Sequence, residues 1–263
     1  MNKTVSASTQ IASSGAPHGA GAPAFSPLYE QIKSLIMQSL AAGEWKPGEA
    51  IPSEFELASR YGVSQGTVRK AVDALAGEFI LVRRQGKGTF VATHTAPAHQ
   101  YRFLRMRADG EPADSARHHP VTTFIGLARD RADAVTATKL RLRQGQSIIK
   151  ISRVLVFAGR PIILDEITLA NATFPGLTME MLEASQGSIY SFLETTYGAR
   201  MIRADETIKA VAADSFAAKH LQVAVGTPLL SVDRVAYTYG DKPVEWRRGR
   251  CVTDGYSYIN ELA

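Results

Sequence analysis

An α+β architecture is predicted, with a small helical unit and a basic hairpin leading, and a largely antiparallel sheet domain following. Three observations carry this reading. Residues 27–77 space their apolar side chains at helical intervals, interrupted by glycine stops. Residues 80–91 hold two short apolar runs around a basic, glycine-bearing tip. From residue 147 onward, β-branched runs alternate with short helical stretches and hairpin turns. A chain of 263 residues makes one large or two ordinary domains, and 45% apolar against 21% charged residues makes most of it globular. The net charge of +5 permits an anionic partner without requiring one. The single cysteine, Cys251, excludes an internal disulfide framework and a cysteine-based zinc site, and it fits a reducing compartment. No apolar run approaches the roughly 18 residues of a membrane span. The N-terminus lacks the apolar stretch of a secretory signal. The expectation is a soluble cytoplasmic protein.

Residues 1–26 are dominated by Ala, Gly, Ser, Thr and Pro, with Lys3 the only charge, which predicts a flexible tail. Ser26 as N-cap and Pro27 at the first helical position open a helix. Its apolar stripe is Leu28, Ile32, Leu35, Ile36 and Leu40, and Gly43 ends it. Ser53-Glu54-Phe55-Glu56 is a capping box for a second helix, with Leu57, Ala58 and Tyr61 inward and Gly62 as its stop. Ser64 then caps a third helix, whose inner face is Val68, Ala71, Val72 and Leu75. Two short helices across a tight glycine turn are the helix-turn-helix pattern. Two strands follow, Ile80-Leu81-Val82 and Thr89-Phe90-Val91, and then a polar linker at 93–100. In the remainder, 147–157 and 161–169 form a hairpin, 178–184 and 188–197 are helical, and 201–212 is a strand. Residues 214–221 form a short capped helix, and 229–239 with 244–258 form a last hairpin around Gly240-Asp241. No internal repeat is evident. The domains expected are 27–92 and 101–263.

With its inner face fixed, the third helix turns Gln65, Gly66, Arg69 and Lys70 outward. Ser64 and Thr67 lie in its first turn, where hydroxyls and free backbone amides can meet a phosphate. Residues 63–92 carry a local excess of three positive charges. Two isolated basic residues are usually a solvated helix face, but here they coincide with helix-turn-helix spacing and a basic hairpin. Such a helix fits the major groove of duplex DNA. Arg83, Arg84, Gln85 and Lys87, with Gly86, Gly88 and Thr89, would form a wing along the minor groove. Ser53, at the head of the second helix, completes the candidate DNA-binding set.

Residues 28–91 resemble the winged helix-turn-helix of the GntR family of bacterial transcription regulators. The resemblance rests on Leu28-Tyr29-Glu30-Gln31-Ile32, Pro47-Gly48-Glu49, Ile51-Pro52-Ser53-Glu54, Tyr61-Gly62-Val63-Ser64, Thr67-Val68-Arg69-Lys70-Ala71 and Gln85-Gly86-Lys87-Gly88-Thr89-Phe90-Val91. Two departures stand out. Phe55 occupies a position that is usually polar or basic in the family, and Gln65 one that is usually Arg. Gln65 can still read adenine or bridge to phosphate, and Phe55 is expected to pack.

Residues 101–258 are similar to the ligand-sensing UTRA domain of the HutC branch. The similarity lies in Arg153, Gly159-Arg160-Pro161, Glu166, Phe174-Pro175-Gly176-Leu177, Ser188-Ile189-Tyr190, Leu193-Glu194, Tyr197-Gly198, Glu206, Leu221, Gly226-Thr227-Pro228, Pro243-Val244-Glu245, Asp254 and Tyr256. It implies a chorismate-lyase-like antiparallel sheet, a homodimer on a pseudo-palindromic double-stranded operator, and a small-molecule effector. Carried over from the family, the effector residues are Arg153, Glu166, Ser188, Tyr190 and Glu245. Arginine clamps a carboxylate or phosphate with two hydrogen bonds, and a helix N-terminus offers an anion site. Leu155 and Cys251 stand where phosphosugar sensors of the branch carry an arginine and an aromatic. A smaller or less charged ligand, such as a carboxylate, is therefore favoured.

No catalytic, metal or cofactor constellation emerges. His118 and His119 are adjacent rather than at chelating spacing, and no phosphate-binding glycine loop, HExxH or GxSxG occurs. The expected function is a DNA-binding repressor modulated by an effector. Two alternatives stay open: a second domain that only dimerises, and a chorismate-lyase-like enzyme domain.

Overall fold

The computed structural model describes residues 26–95, 103–110, 120–185 and 187–260. The expected tail falls almost wholly outside these residues, as do His118, His119 and residues 96–100 of the expected linker.

The N-terminal unit comprises α1 (Leu28–Ala41), α2 (Glu54–Tyr61) and α3 (Gln65–Gly77), then the antiparallel hairpin of β1 (Leu81–Arg84) and β2 (Gly88–Val91). The first helix starts one residue later than expected: Pro27 is its N-cap, without a side-chain cap, while Ser26 offers its carbonyl to Gln31 Nε2. The capping box on α2 forms in full, Ser53 Oγ accepting from the Glu56 amide and Glu56 accepting from the Ser53 amide at 2.8 Å. Gly62 closes α2 in the left-handed region, at φ 65°, where a side chain would be strained. Ser64 caps α3 through the Thr67 amide. A single core of Ile32, Ile36, Leu57, Val68, Leu75 and Leu81, among others, binds the three helices to the hairpin.

The rest is built on a six-stranded antiparallel sheet with β3 (Met106–Ala108) off its main body. Along the chain follow β4 (Val121–Arg131), α4 (Ala134–Leu140), β5 (Ser147–Phe157), β6 (Arg160–Ala170), α5 (Met179–Glu183), α6 (Ile189–Tyr197), β7 (Arg203–Ala212), α7 (Ser215–Leu221), β8 (Pro228–Thr238), β9 (Lys242–Cys251) and β10 (Tyr256–Tyr258). Strand order is β4-β5-β6-β9-β8-β7, and β10 pairs separately with β3. Helices α5 and α6 pack with Ile149, Ile151, Ile167 and Leu169 in one cluster; α7 packs with Ile162, Leu164 and Val232 in another.

The strand order exposes a repeat that the sequence reading did not find. Strand, seven-residue helix, strand and returning strand occur twice, as β4-α4-β5-β6 and β7-α7-β8-β9. At one constant offset, Asp133 and Asp214 cap the helices, and Arg141 and Gln222 end them in left-handed conformations. Ala132 and Ala213 each exchange backbone bonds with the next turn, which contains Gly145 in one half and Gly226 in the other. The same offset pairs Arg153 with Arg234. The two halves meet along β6 and β9, which brings the corresponding residues of both to the middle of the sheet.

Candidate nucleic-acid interface and effector cavity

The outward face of the head has the residues expected of it. Gln65, Gly66, Arg69 and Lys70 on α3 are exposed, as are Arg83, Arg84, Gln85, Gly86, Lys87 and Gly88 at the hairpin tip; Thr67 and Thr89 are half-buried. Gly86 and Gly88, at φ 69° and 108°, give the tip a turn that ordinary side chains resist. Ser53 and Ser64 are exposed but already occupied as caps. The side chains are also partly organised. Lys70 Nζ sits 4.1 Å over the Tyr29 ring, and the Arg84 guanidinium 4.5 Å over Phe90. Glu54 of α2 accepts from Arg69 Nε at 2.9 Å and from Arg83 Nη2 at 2.8 Å, tying the third helix to the hairpin. Burial would raise the Glu54 pKa, but the hydrogen bonds from Arg83 and Arg69 outweigh it and hold the carboxylate below its usual range. Phe55 does not pack as expected: it is 72% exposed, directly beside Glu54.

In the sheet domain a cavity of about 70 Å³ opens between the central strands, the first turn of α6 and residues 103–106. Arg153, Ser188 and Tyr190 line it; Glu166 and Glu245 do not. Successive side chains of a strand point to opposite faces. Asp165, not Glu166, therefore shares a face with Arg153, accepting from its Nε at 3.0 Å and Nη2 at 2.8 Å. Glu166 lies on the opposite face, where it accepts from Arg250, which also donates to Asp214, the cap of α7. Glu245 is fully buried behind the wall, accepting from Tyr190 Oη at 2.8 Å and from Arg247 through both oxygens. Ser188 caps α6, its Oγ accepting from the Ser191 amide at 3.1 Å.

Four further charged lining residues escaped the sequence reading: Arg105, Asp165, Arg234 and Arg247. Arg247 donates to Asp165 at 3.2 Å as well as to Glu245, so one buried network runs from Arg153 to Tyr190. Burial would raise the Asp165 pKa, but Arg247 and Arg153 hold it low; burial raises that of Tyr190 to about 12. Cys251 also lines the cavity, and burial pushes its thiol up. The repeat gives away Arg234 as the counterpart of Arg153. Arg247 sits two residues beyond Glu245 on one strand, hence on the same face.

The expected linker is not loose where it is described. Thr93 Oγ1 and the His94 amide donate to Glu194 on α6 at 2.6 and 2.7 Å, and His94 is 2% exposed.

Residues 28–91 match the model of the gntR family of bacterial regulatory proteins, and residues 115–257 that of the UTRA domain. The chain is 28% identical over 235 residues to the mannosyl-D-glycerate transport/metabolism system repressor of Escherichia coli (strain K12), covering 88% of this chain and 94% of that protein. It is 27% identical over 218 residues to the histidine utilization repressor of Pseudomonas putida, covering 83% and 85%. A crystal structure of a ligand-binding domain from Bordetella bronchiseptica, assigned to the GntR family of transcriptional regulators, shares 42% identity with a TM-score of 0.58; the match spans 62% of this chain and 99% of that one. Among the described residues no helix is long and apolar enough to cross a membrane. The chain belongs to the gntR family of bacterial regulatory proteins and carries the UTRA domain behind its DNA-binding head.

Proposed function

We propose that this transcription regulator represses by occupying a pseudo-palindromic operator as a homodimer, and that a small anion with a short apolar body controls it from the sheet-domain cavity. The observation that carries the effector assignment is the buried Arg153–Asp165–Arg247 network at the cavity floor. Arg105, Arg153, Arg234 and Arg247 line the cavity; Asp165 among them pairs with Arg153 and Arg247, and Glu206 and Glu245 outside the lining pair with Arg234 and Arg247, so the four cations still outnumber the three carboxylates. Arg153 donates to Asp165 through Nε and Nη2, and Nη1 is the prong that would meet a ligand. Leu155, Ile163, Val232 and Cys251 supply an apolar part of the wall, and Thr122, Ser188, Tyr190 and Tyr258 add hydroxyls to the rest. A volume of about 70 Å³ holds on the order of five waters, so the favoured ligand is a small carboxylate. On the DNA side, Arg69, Lys70 and Gln65 would face the major groove and Arg83, Arg84 and Lys87 the backbone or minor groove, with repression suggested by the names of the relatives.

The test is thermal unfolding of the full chain against carboxylates, sugar phosphates and amino-acid derivatives. A ligand bound only by the native state stabilises it by roughly 2.7 kcal/mol at a hundred times its dissociation constant. The expected result is a saturable shift with a small carboxylate, lost in Arg153→Ala. A shift with sugar phosphates alone would overturn the ligand class. No shift with any of them would favour a domain that only dimerises.

A further inference from the structure

We propose that Arg200 and Glu194 form a clamp by which the effector cavity holds the DNA-binding head, with His94 as the part of the chain that senses the cavity. This rests on the reading of the cavity as the effector site.

Arg200 lies between α6 and β7 and is 3% exposed, yet its guanidinium reaches out of the sheet domain. Its Nη2 donates to the Phe79 carbonyl at 2.6 Å, and its Nη1 to the Ile80 carbonyl at 3.2 Å and to Tyr239 Oη at 3.0 Å. Phe79 and Ile80 form the turn that joins the third helix of the head to its hairpin, and Phe79 holds φ at 58°, a conformation disfavoured for a bulky side chain. Arg200 therefore grips the joint that sets recognition helix and wing relative to each other.

Glu194, 4% exposed, holds the other end. It accepts from Thr93 Oγ1 and the His94 amide, while Ser191 Oγ, one turn earlier on α6, donates to the His94 carbonyl at 2.6 Å. The head is thus fastened to the sheet domain twice, by Arg200 at the turn before its hairpin and by α6 at the chain leaving it. The first turn of α6 is cavity wall, through Ser188, Ile189 and Tyr190. Tyr190 and Glu194 are about 6 Å apart along the helix axis, at 1.5 Å per residue, so a ligand that moves the first turn moves the clamp with it. A second link runs through His94, whose ring centroid lies 5.6 Å from that of Tyr190 and 6.1 Å from that of Phe103, both cavity residues.

The clamp is not fully closed. Arg200 Nε and Glu194 Oε1 are 3.4 Å apart, and among the described residues neither atom has a hydrogen-bond partner. Burying an ion pair is costly and repaid only when the geometry is good and the remaining valences are met. A buried pair with a slack bond at a domain junction suits an element with two arrangements better than one that only adds stability.

Hydrogen exchange of the full chain, without DNA or effector, tests both halves of the proposal. Arg200→Met keeps the stem and removes the donors; exchange across residues 78–95 is expected to rise tenfold or more, with β5 and β6 unchanged. Tyr190→Leu alters the cavity wall and its ring contact with His94 but leaves Arg200 and Glu194 in place, and it is expected to speed exchange at 78–82 and 93–95 as well. Wild-type rates at 78–95 in Arg200→Met would overturn the clamp, and wild-type rates there in Tyr190→Leu would overturn its link to the cavity. If Arg200→Met does not fold, Arg200→Lys keeps the charge but not the two-pronged grip, and the same readout applies. The failure of the effector reading looks different: no ligand shifts the melting temperature, while Tyr190→Leu still loosens the head.

Discussion

Glu54 and Arg69 are joined at 2.9 Å across the turn between the second and third helices, and the same carboxylate holds Arg83 of the hairpin at 2.8 Å. Two effects oppose each other here. A carboxylate facing DNA repels phosphate, so its neutralisation would strengthen binding by simple electrostatics. The same carboxylate orients two guanidiniums in advance, which lowers the ordering cost of binding. Glu54 is only 14% exposed at its side chain, so orientation is expected to win. Glu54→Gln should weaken operator affinity about tenfold, or ~1.4 kcal/mol. Tighter binding in a titration at fixed salt would show that repulsion governs instead.

The low pKa of Glu54 adds a pH signature. A carboxylate held below its unfolded value contributes stability that is fully present above the unfolded value and lost as pH falls through the folded one. Protonation below the usual carboxylate range should therefore release Arg69 and remove one of two partners from Arg83, which Asp73 still holds at 2.7 Å. Chemical-shift titration of the two arginine side chains should show one shared transition in wild type, absent from Glu54→Gln.

Arg69 and Lys87 should separate reading from gripping. Arg69 is 60% exposed at its side chain, so Arg69→Ala should leave the unfolding free energy within about 0.5 kcal/mol of wild type. It should nevertheless abolish preference for the operator over random duplex. Lys87→Ala, at the exposed hairpin tip, should weaken both DNAs alike and reduce the salt slope by about 1. A lowered salt slope without loss of specificity in Arg69→Ala would place that residue on phosphate rather than base.

Asp165 and Glu166, neighbours in sequence, should behave as opposites. Asp165 neutralises Arg153 and Arg247 with its side chain 3% exposed. Asp165→Asn leaves two buried cations short of a partner and should cost about 3–5 kcal/mol. Glu166 pairs with Arg250 at 43% side-chain exposure, so Glu166→Gln should cost about 0–1 kcal/mol. Urea midpoints of the two variants decide it, and equal losses would refute the division of the strand between its faces.

Much of this was legible because it is local. The Ser53 and Ser64 caps, the Gly62 stop and the outward face of α3 all follow from residues within a turn of one another. The cavity was harder, since it is assembled from the four central strands and α6. Similarity carried Arg153, Ser188 and Tyr190 to it and placed Glu166 one residue out of register, where strand alternation turns it to the far face. Arg234 was within reach, because Asp133 and Asp214, Gly145 and Gly226, and Arg153 and Arg234 recur at one offset. The intervening side chains differ enough to hide that repeat until the strand order shows it. The grip of Arg200 on Phe79 and Ile80 joins residues more than a hundred positions apart through main-chain carbonyls, which leave no trace in side-chain patterning.

Phe55 offers a gain-of-function test of the DNA face. Its ring is 72% exposed on the first turn of α2, beside the Glu54 that holds Arg69. A large apolar side chain left in solvent contributes little to the core, so its replacement should change stability by no more than about 0.5 kcal/mol. At the head of the first helix of a helix-turn-helix, which crosses the DNA backbone, a cation would meet phosphate. Phe55→Arg should therefore tighten binding to operator and random duplex alike and steepen the salt dependence by about 1 in slope. Fluorescence anisotropy at several salt concentrations measures both. An unchanged slope would mean that α2 does not approach the phosphates; weaker binding to the operator alone would mean that the Phe55 ring itself contacts a base or sugar.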